Sequence, residues 1–234
     1  MIFVPSTPVT DTQESVLSNR TNKSRLISLV IEKLEAAGIR CCQSRADADY
    51  LIANTALTLS KTSSRPVVGK DTVVGKDTDL LAMVVKGMSV TRDNLYMRFR
   101  SGQVYSITKI KRAVHIRVTK HILIGHAITG CDTVSAMYGV GKKRVVKVLK
   151  AKKWRSLRVF LDPTASHSAI QEEGEKFILA LYGAPKSCET LNMLRYIRYT
   201  QRVNKNSAFH IQQLPPTSAA AKYHVFRAYF AVQE

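Results

Sequence analysis

At 234 residues the chain has room for one large domain, or for one domain with an appended helical region, and its 45% hydrophobic content argues against wholesale disorder. Thirty-six Lys and Arg stand against 17 Asp and Glu, a formal +19, which points to a polyanionic partner, nucleic acid before a membrane surface. No run approaches the ~20 apolar residues that cross a bilayer, and the opening MIFVPSTPVT lacks the cationic start and apolar stretch of a signal peptide, so a nuclear or cytoplasmic protein is expected, not a secreted one.

Residues 1–20 hold no strong periodicity and read as an extended lead-in. Leu26, Ile27, Val30, Ile31 and Leu34 then recur at helical spacing, with Asn22 as a candidate cap and Gly38 as the stop. Ile39 to Cys42 reads as a short buried strand. SRADADYLIANTALTL begins a second helix with Ser44 as its candidate cap, and SKTSSRP reads as a loop.

From Val67 the unit V-V-G-K-D-T is written twice in tandem. The second copy runs on into DLLAMVVKG, a helix or a second buried run, so the core strand is expected at Thr72 to Gly75. The first copy, after Pro66, is expected in a lengthened loop or an edge pairing, where extra length costs only ~0.6 kcal/mol per doubling. NLYMRFRSGQVYSI alternates apolar residues on both sides of Ser101-Gly102, a hairpin signal. Beyond Ile107 helices are expected at 107–114, 119–128, 142–150, 168–182, 191–202 and, after LPPT, 218–232. Strands alternating with helices, then a helical remainder, indicate α/β with a mainly helical C-terminal part.

Between Lys109 and Arg158 stand fourteen basic residues and one acid, Asp132, so thirteen of the nineteen net charges fall in about a fifth of the chain. That concentration suits a binding face. Cys41, Cys42, Cys131 and Cys188 follow neither a pairing nor a zinc spacing and read as reduced thiols.

The acids recur in a pattern: Asp47 and Asp49 in ADAD at a helix start, Asp77 and Asp79 in KDTD after the strand, and Asp132 in ITGCDT within the basic stretch. Residues two apart on an extended segment point to one side, so Asp77 and Asp79 can present two carboxylates beyond the carboxyl end of a strand, where ligands bind in open α/β sheets. Only the second copy of the doubled unit has both acids. Gathered carboxylates repel unless a cation lies among them, and hard oxygen ligands suit Mg²⁺ or Mn²⁺. Two such ions ~4 Å apart can activate water for phosphodiester cleavage. Taken singly, each acid also reads as a helix-start or turn residue.

Downstream, Gly139 and Gly141 allow a sharp turn before a helix whose free amides can meet phosphate, with Lys142, Lys143, Arg144 and Lys147 adding backbone-directed charge. The string does not fit a Walker loop. His121 and His126, on one expected helix, Trp154 and the tyrosines carry no assigned role.

This order of strand, D-x-D, upstream x-D-x-D, G-x-D, glycine hairpin and basic helix resembles the flap endonuclease branch of the PIN-like nuclease superfamily, over roughly Ile39 to Leu149. LSNRTNKSRLI, GKDTDLL, HAITGCDTVSAMYGVGKK and LPPTSAAAKYH are more closely similar to a group of uncharacterised animal proteins carrying that domain, a mobile-element link among the open readings. The resemblance implies a three-layer sandwich with a short, mainly parallel sheet over 22–150, with the glycine hairpin at 130–150, and a helical extension over 151–234. It implies two Mg²⁺ or Mn²⁺ ions held by Asp47, Asp49, Asp77, Asp79 and Asp132, which would also be the catalytic acids, and a hairpin at Gly139 and Gly141 that grips duplex backbone through phosphates and a monovalent ion. The family also uses a first strand ending in an acid and a helical gateway acid, both upstream of Asn22 here. Asp11 and Glu14 follow no buried strand, so the chain is expected to be truncated at its N-terminus.

The expected function is therefore a metal-dependent, structure-selective nuclease acting on DNA ahead of RNA. The alternative is a catalytically silent nucleic-acid-binding remnant, and a third reading is a scaffold whose basic face meets an acidic protein.

Overall fold

The computed structural model describes residues 8, 12–44, 48–62, 71–74, 78–88, 95–99, 101–151, 154, 156–205 and 209–233. It divides into two compact units, Met1–Ala48 and Asp49–Glu234.

In the first unit, Thr12 caps α1 (Gln13–Ser18), a helix the sequence does not announce. Asn19, and not Asn22, caps α2 (Arg20–Ala36), its side chain accepting from the amides of Thr21 and Asn22. Gly38 ends the helix as expected, at φ +77°, and the Ile39 amide donates to the Leu34 carbonyl at 2.9 Å. The strand expected at Ile39 to Cys42 is absent. That run is irregular and Ile39 is 52% exposed, because a short apolar run beyond a helix stop finds no strand to pair with among the described residues.

The second unit is mixed α/β but mostly helical. It opens on α3 (Ala48–Thr62), followed by β1 (Asp71–Val74), α4 (Thr78–Gly87), β2 (Leu95–Arg98) and β3 (Val104–Ser106). β1 pairs parallel to β2, Thr72 opposite Tyr96, so β1-α4-β2 is a crossover unit; β2 pairs antiparallel to β3 through the expected hairpin. The strand straddles the junction of the doubled unit, taking Asp71-Thr72 from one copy and Val73-Val74 from the next. Of the loop or edge pairing expected for Val67 to Asp71, Asp71 opens β1, an edge strand of the described sheet, while 67–70 and Gly75 lie outside the described residues. Ala53 and Ala56 of α3, Leu80, Val84 and Val85 of α4, and Leu95 and Met97 of β2 close a small core around this sheet.

Helices make up the rest: α5 (Ile107–Ala113), α6 (Ile116–Lys120), α7 (Ile122–Ile128), α8 (Lys142–Ala151), α9 (His167–Tyr182), α10 (Leu191–Val203) and α11 (Ser218–Gln233), with a 3₁₀ turn at Ser156–Leu161. The single helix expected at 119–128 is broken at His121, whose φ of −122° lies outside the helical range. A tertiary contact accounts for this: the Lys120 carbonyl accepts from the Lys86 ammonium of α4 at 3.1 Å.

A larger core runs from Val118 to Tyr229 through Ile124, Ile128, Val145, Leu149, Leu157, Phe177, Leu194 and Val225. The Trp154 and Phe177 rings meet edge to face at 5.0 Å within it. α8 therefore packs its apolar side into the same interior as α9 and α11, leaving its other side to solvent.

Candidate functional site

Asp79 stands in the first turn of α4, beyond the carboxyl end of β1. It is therefore a helical residue, and the two-apart, same-side geometry expected of an extended Asp77-Asp79 pair does not describe it. Its Oδ1 lies 2.8 Å from Nε2 of His126 on α7, in ion-pair range but off the line of a well-aligned hydrogen bond.

Asp132 acts on the same imidazole through its charge. It occupies the two-residue turn between Cys131 and Val134, whose backbones exchange hydrogen bonds at 2.9 and 3.2 Å. The preceding Gly130 has φ +105°, and a Cβ there would come within 2.7 Å of the Ala136 backbone, so the turn closes only on glycine. Burial, and then the Lys142 ammonium, push the His126 pKa below its ordinary value, while Asp79 and Asp132 act in the opposite sense. One of the five expected acids, Asp79, thus contacts a ring that the sequence does not single out, and a second, Asp132, acts on that ring only through its charge. The available signal is a histidine six residues before Asp132, inside an otherwise apolar helix.

Asp49 lies in the first turn of α3, partly exposed. Asp47 and Asp77 lie outside the described residues. In kind, carboxylates suit Mg²⁺ or Mn²⁺. In number, no group of three or more His, Cys, Asp or Glu is arranged to hold a metal among the described residues. Asp79 and Asp132 are donors of the kind a hard cation accepts, but they do not make a complete shell among the described residues.

The glycine turn forms as its sequence suggests. Gly139 adopts φ +69°, Val140 is buried as the anchor, and the amides of Arg144 and Val145 fold back on the Gly141 carbonyl to start α8. The N–H groups of Gly141, Lys142 and Lys143 meet no backbone acceptor among the described residues, leaving them for an outside acceptor.

The four expected basic residues divide into two roles. Lys142 turns inward, its Nζ donating to the carbonyls of His126 at 2.7 Å and Gly130 at 2.6 Å. Burial lowers its pKa, with Asp79 and Cys131 opposing. Arg144 donates from Nε to the Leu181 carbonyl at 2.9 Å, tying α8 to the end of α9. Lys143 and Lys147 are exposed one turn apart, and Lys150 continues the row.

No protein-family model, curated protein or solved structure matches this chain. Among the described residues no helix is long and apolar enough to cross a membrane.

Proposed function

We propose that this chain is a nucleic-acid-binding protein of the PIN-like, flap-endonuclease-like type, hydrolysing phosphodiester bonds in DNA with the help of Mg²⁺ or Mn²⁺. The observation that carries the reading is the 2.8 Å approach of Asp79 to His126, tied through Lys142 to the turn bearing Asp132 and to the start of α8 with its free amides and exposed Lys143 and Lys147. The β1-α4-β2 crossover, with an acid at the start of its helix, supports the proposed three-layer architecture. Exposed lysines in a row read phosphate and not base sequence, which suits a protein that selects structure.

In this reading Asp79 and Asp132, joined by Asp47, Asp49 and Asp77, hold the metal. The metal supplies charge neutralisation at the phosphate and lowers the pKa of a bound water. His126 braces Asp79, Lys142 fixes the α7 end to the Asp132 turn, and Lys143 and Lys147 hold the strand.

A second reading keeps the binding and drops the reaction. It is favoured by Lys142, whose ammonium interacts with Asp79 and already supplies positive charge beside the acid. Calorimetric titration of Mn²⁺ into the chain, with Asp79→Asn alongside at low ionic strength, separates the two. Saturable binding lost in Asp79→Asn supports the metal-dependent enzyme. No specific binding, with DNA retained and released by salt, supports the silent binder.

A further inference from the structure

At the other end of α4 from Asp79, three helix ends bring cations together. Lys86 in the last turn of α4 donates to the Lys120 carbonyl at the end of α6. Lys111 in the last turn of α5 donates to the carbonyls of Lys86, at 3.1 Å, and of Met88. His121 follows Lys120 directly, is only 8% exposed, and has a buried Nδ1 without a hydrogen-bond partner among the described residues. Lys86, Lys120 and Arg158 all act electrostatically on that imidazole, and among the described residues no acid does.

A plain structural role accounts for part of this cluster. Lysines near helix C-termini bond the last carbonyls and complement the helix dipole. That role uses one of the three donors on Lys86 and two of the three on Lys111. It uses neither the Lys120 ammonium nor the Arg158 guanidinium, which are exposed and make no side-chain bond among the described residues. It also leaves the His121 Nδ1 unanswered. Like charges held together cost stability, and a buried imidazole nitrogen without a partner costs more, unless an anion completes the set.

We infer that Lys86, Lys111, Lys120, Arg158 and His121 form a phosphate-binding site separate from the acids around His126. Lys86 and Lys111 are pinned by their carbonyl bonds, so their remaining N–H groups are preorganised. Lys120 and Arg158 supply the mobile, exposed part, and Arg158 offers the bidentate fork that phosphate oxygens accept. A phosphate seated there also gives the imidazole a reason to take up a proton that its cationic surroundings otherwise deny it. The phosphate's source is the backbone of a bound nucleic acid if the function proposed above holds. The site would then be a second grip on the same strand, remote from Lys143 and Lys147 in sequence and carried by different helices.

The test follows the His121 Cε1–H resonance by NMR while inorganic pyrophosphate is added to the whole chain, with sodium chloride at matched ionic strength as the control. Arg158→Gln and Lys120→Gln are the variants, since neither side chain supports the fold. A saturable His121 shift with pyrophosphate, absent with chloride and about tenfold weaker in either variant, is the expected result. No His121 response, or the same response to chloride, overturns the site. In parallel, the salt dependence of duplex DNA binding should become shallower by about one unit of slope in Arg158→Gln. DNA that binds with an unchanged slope, together with a silent His121, sinks this site and leaves the nucleic-acid reading standing. A pyrophosphate response without DNA binding supports the site, assigns it to free phosphate and removes the nucleic-acid reading.

Discussion

Nε2 of His126 lies 2.8 Å from Oδ1 of Asp79, joining the helix that follows the first strand to the helix that leads into the glycine turn. Through Lys142, which bonds the carbonyls of His126 and Gly130, the same contact is tied to the turn carrying Asp132. Acid, imidazole and glycine turn are therefore one mechanical piece.

Lys142 and Lys143 should behave oppositely. Lys142→Met removes a charged donor from two carbonyls and should cost about 2–3 kcal/mol of stability in urea unfolding. Lys143→Ala should stay within about 0.5 kcal/mol of the parent, yet weaken DNA binding and flatten its salt dependence. Equal stabilities for the two variants would show that the Lys142 clasp contributes nothing.

The glycines can be ranked in the same way. Gly130→Ala meets both a positive φ and a 2.7 Å approach to Ala136, and should lose about 2–4 kcal/mol and disturb the Asp132 turn. Gly139→Ala has open space around it and should lose only about 1 kcal/mol, the left-handed penalty alone. Thermal unfolding of both variants reads the difference directly.

Stability should fall in mild acid. Burial is the largest cause that pushes the pKa of His121 and of His224 below the ordinary value of about 6.5, helped by Lys86, Arg158 and Lys120 in one case and Arg227 in the other. The His224 contact with the Ile128 carbonyl, at 2.8 Å, opposes its shift. A lowered folded value means that the unfolded chain takes up protons first. Stability is thus full above about pH 6.5 and declines as pH drops through the folded values. Urea midpoints measured from about pH 7.5 to about pH 5.5 should decrease, and less steeply in His224→Gln.

The helices around the large core are one interior, so damage at its centre should reach the candidate site. Phe177→Ala removes a fully buried ring that packs on Trp154 and should cost about 3–5 kcal/mol. Amide exchange should accelerate in α8 as well as in α9, because Val145 and Leu149 share that core.

Much of the helical part was legible because periodicity, caps and stops agreed. The expected span 168–182 is observed as His167–Tyr182 behind a Ser166 cap, and 191–202 as Leu191–Val203 behind Thr190. The hairpin at Ser101-Gly102 and the strand at the doubled unit were also legible, the latter displaced by one residue. The failures share a cause. Breaking a helix at His121 depends on Lys86, thirty-four residues from the carbonyl it bonds, and no local pattern records that contact. The Asp-x-Asp spacing at Asp79 fits an extended segment, whereas the apolar run behind it draws Asp79 into α4. At the site, the acids were visible as a spacing, while His126 and the inward turn of Lys142 arise only from tertiary packing.

The measurement that bears most directly on the account is cleavage of a branched DNA duplex in Mg²⁺ or Mn²⁺, with the parent chain and Asp79→Asn compared at equal occupancy of the DNA. The account predicts metal-dependent product from the parent chain and a loss of about a hundredfold or more in Asp79→Asn, with DNA affinity retained. Bound DNA that stays intact with the parent chain, or cleavage that Asp79→Asn leaves unchanged, would contradict it.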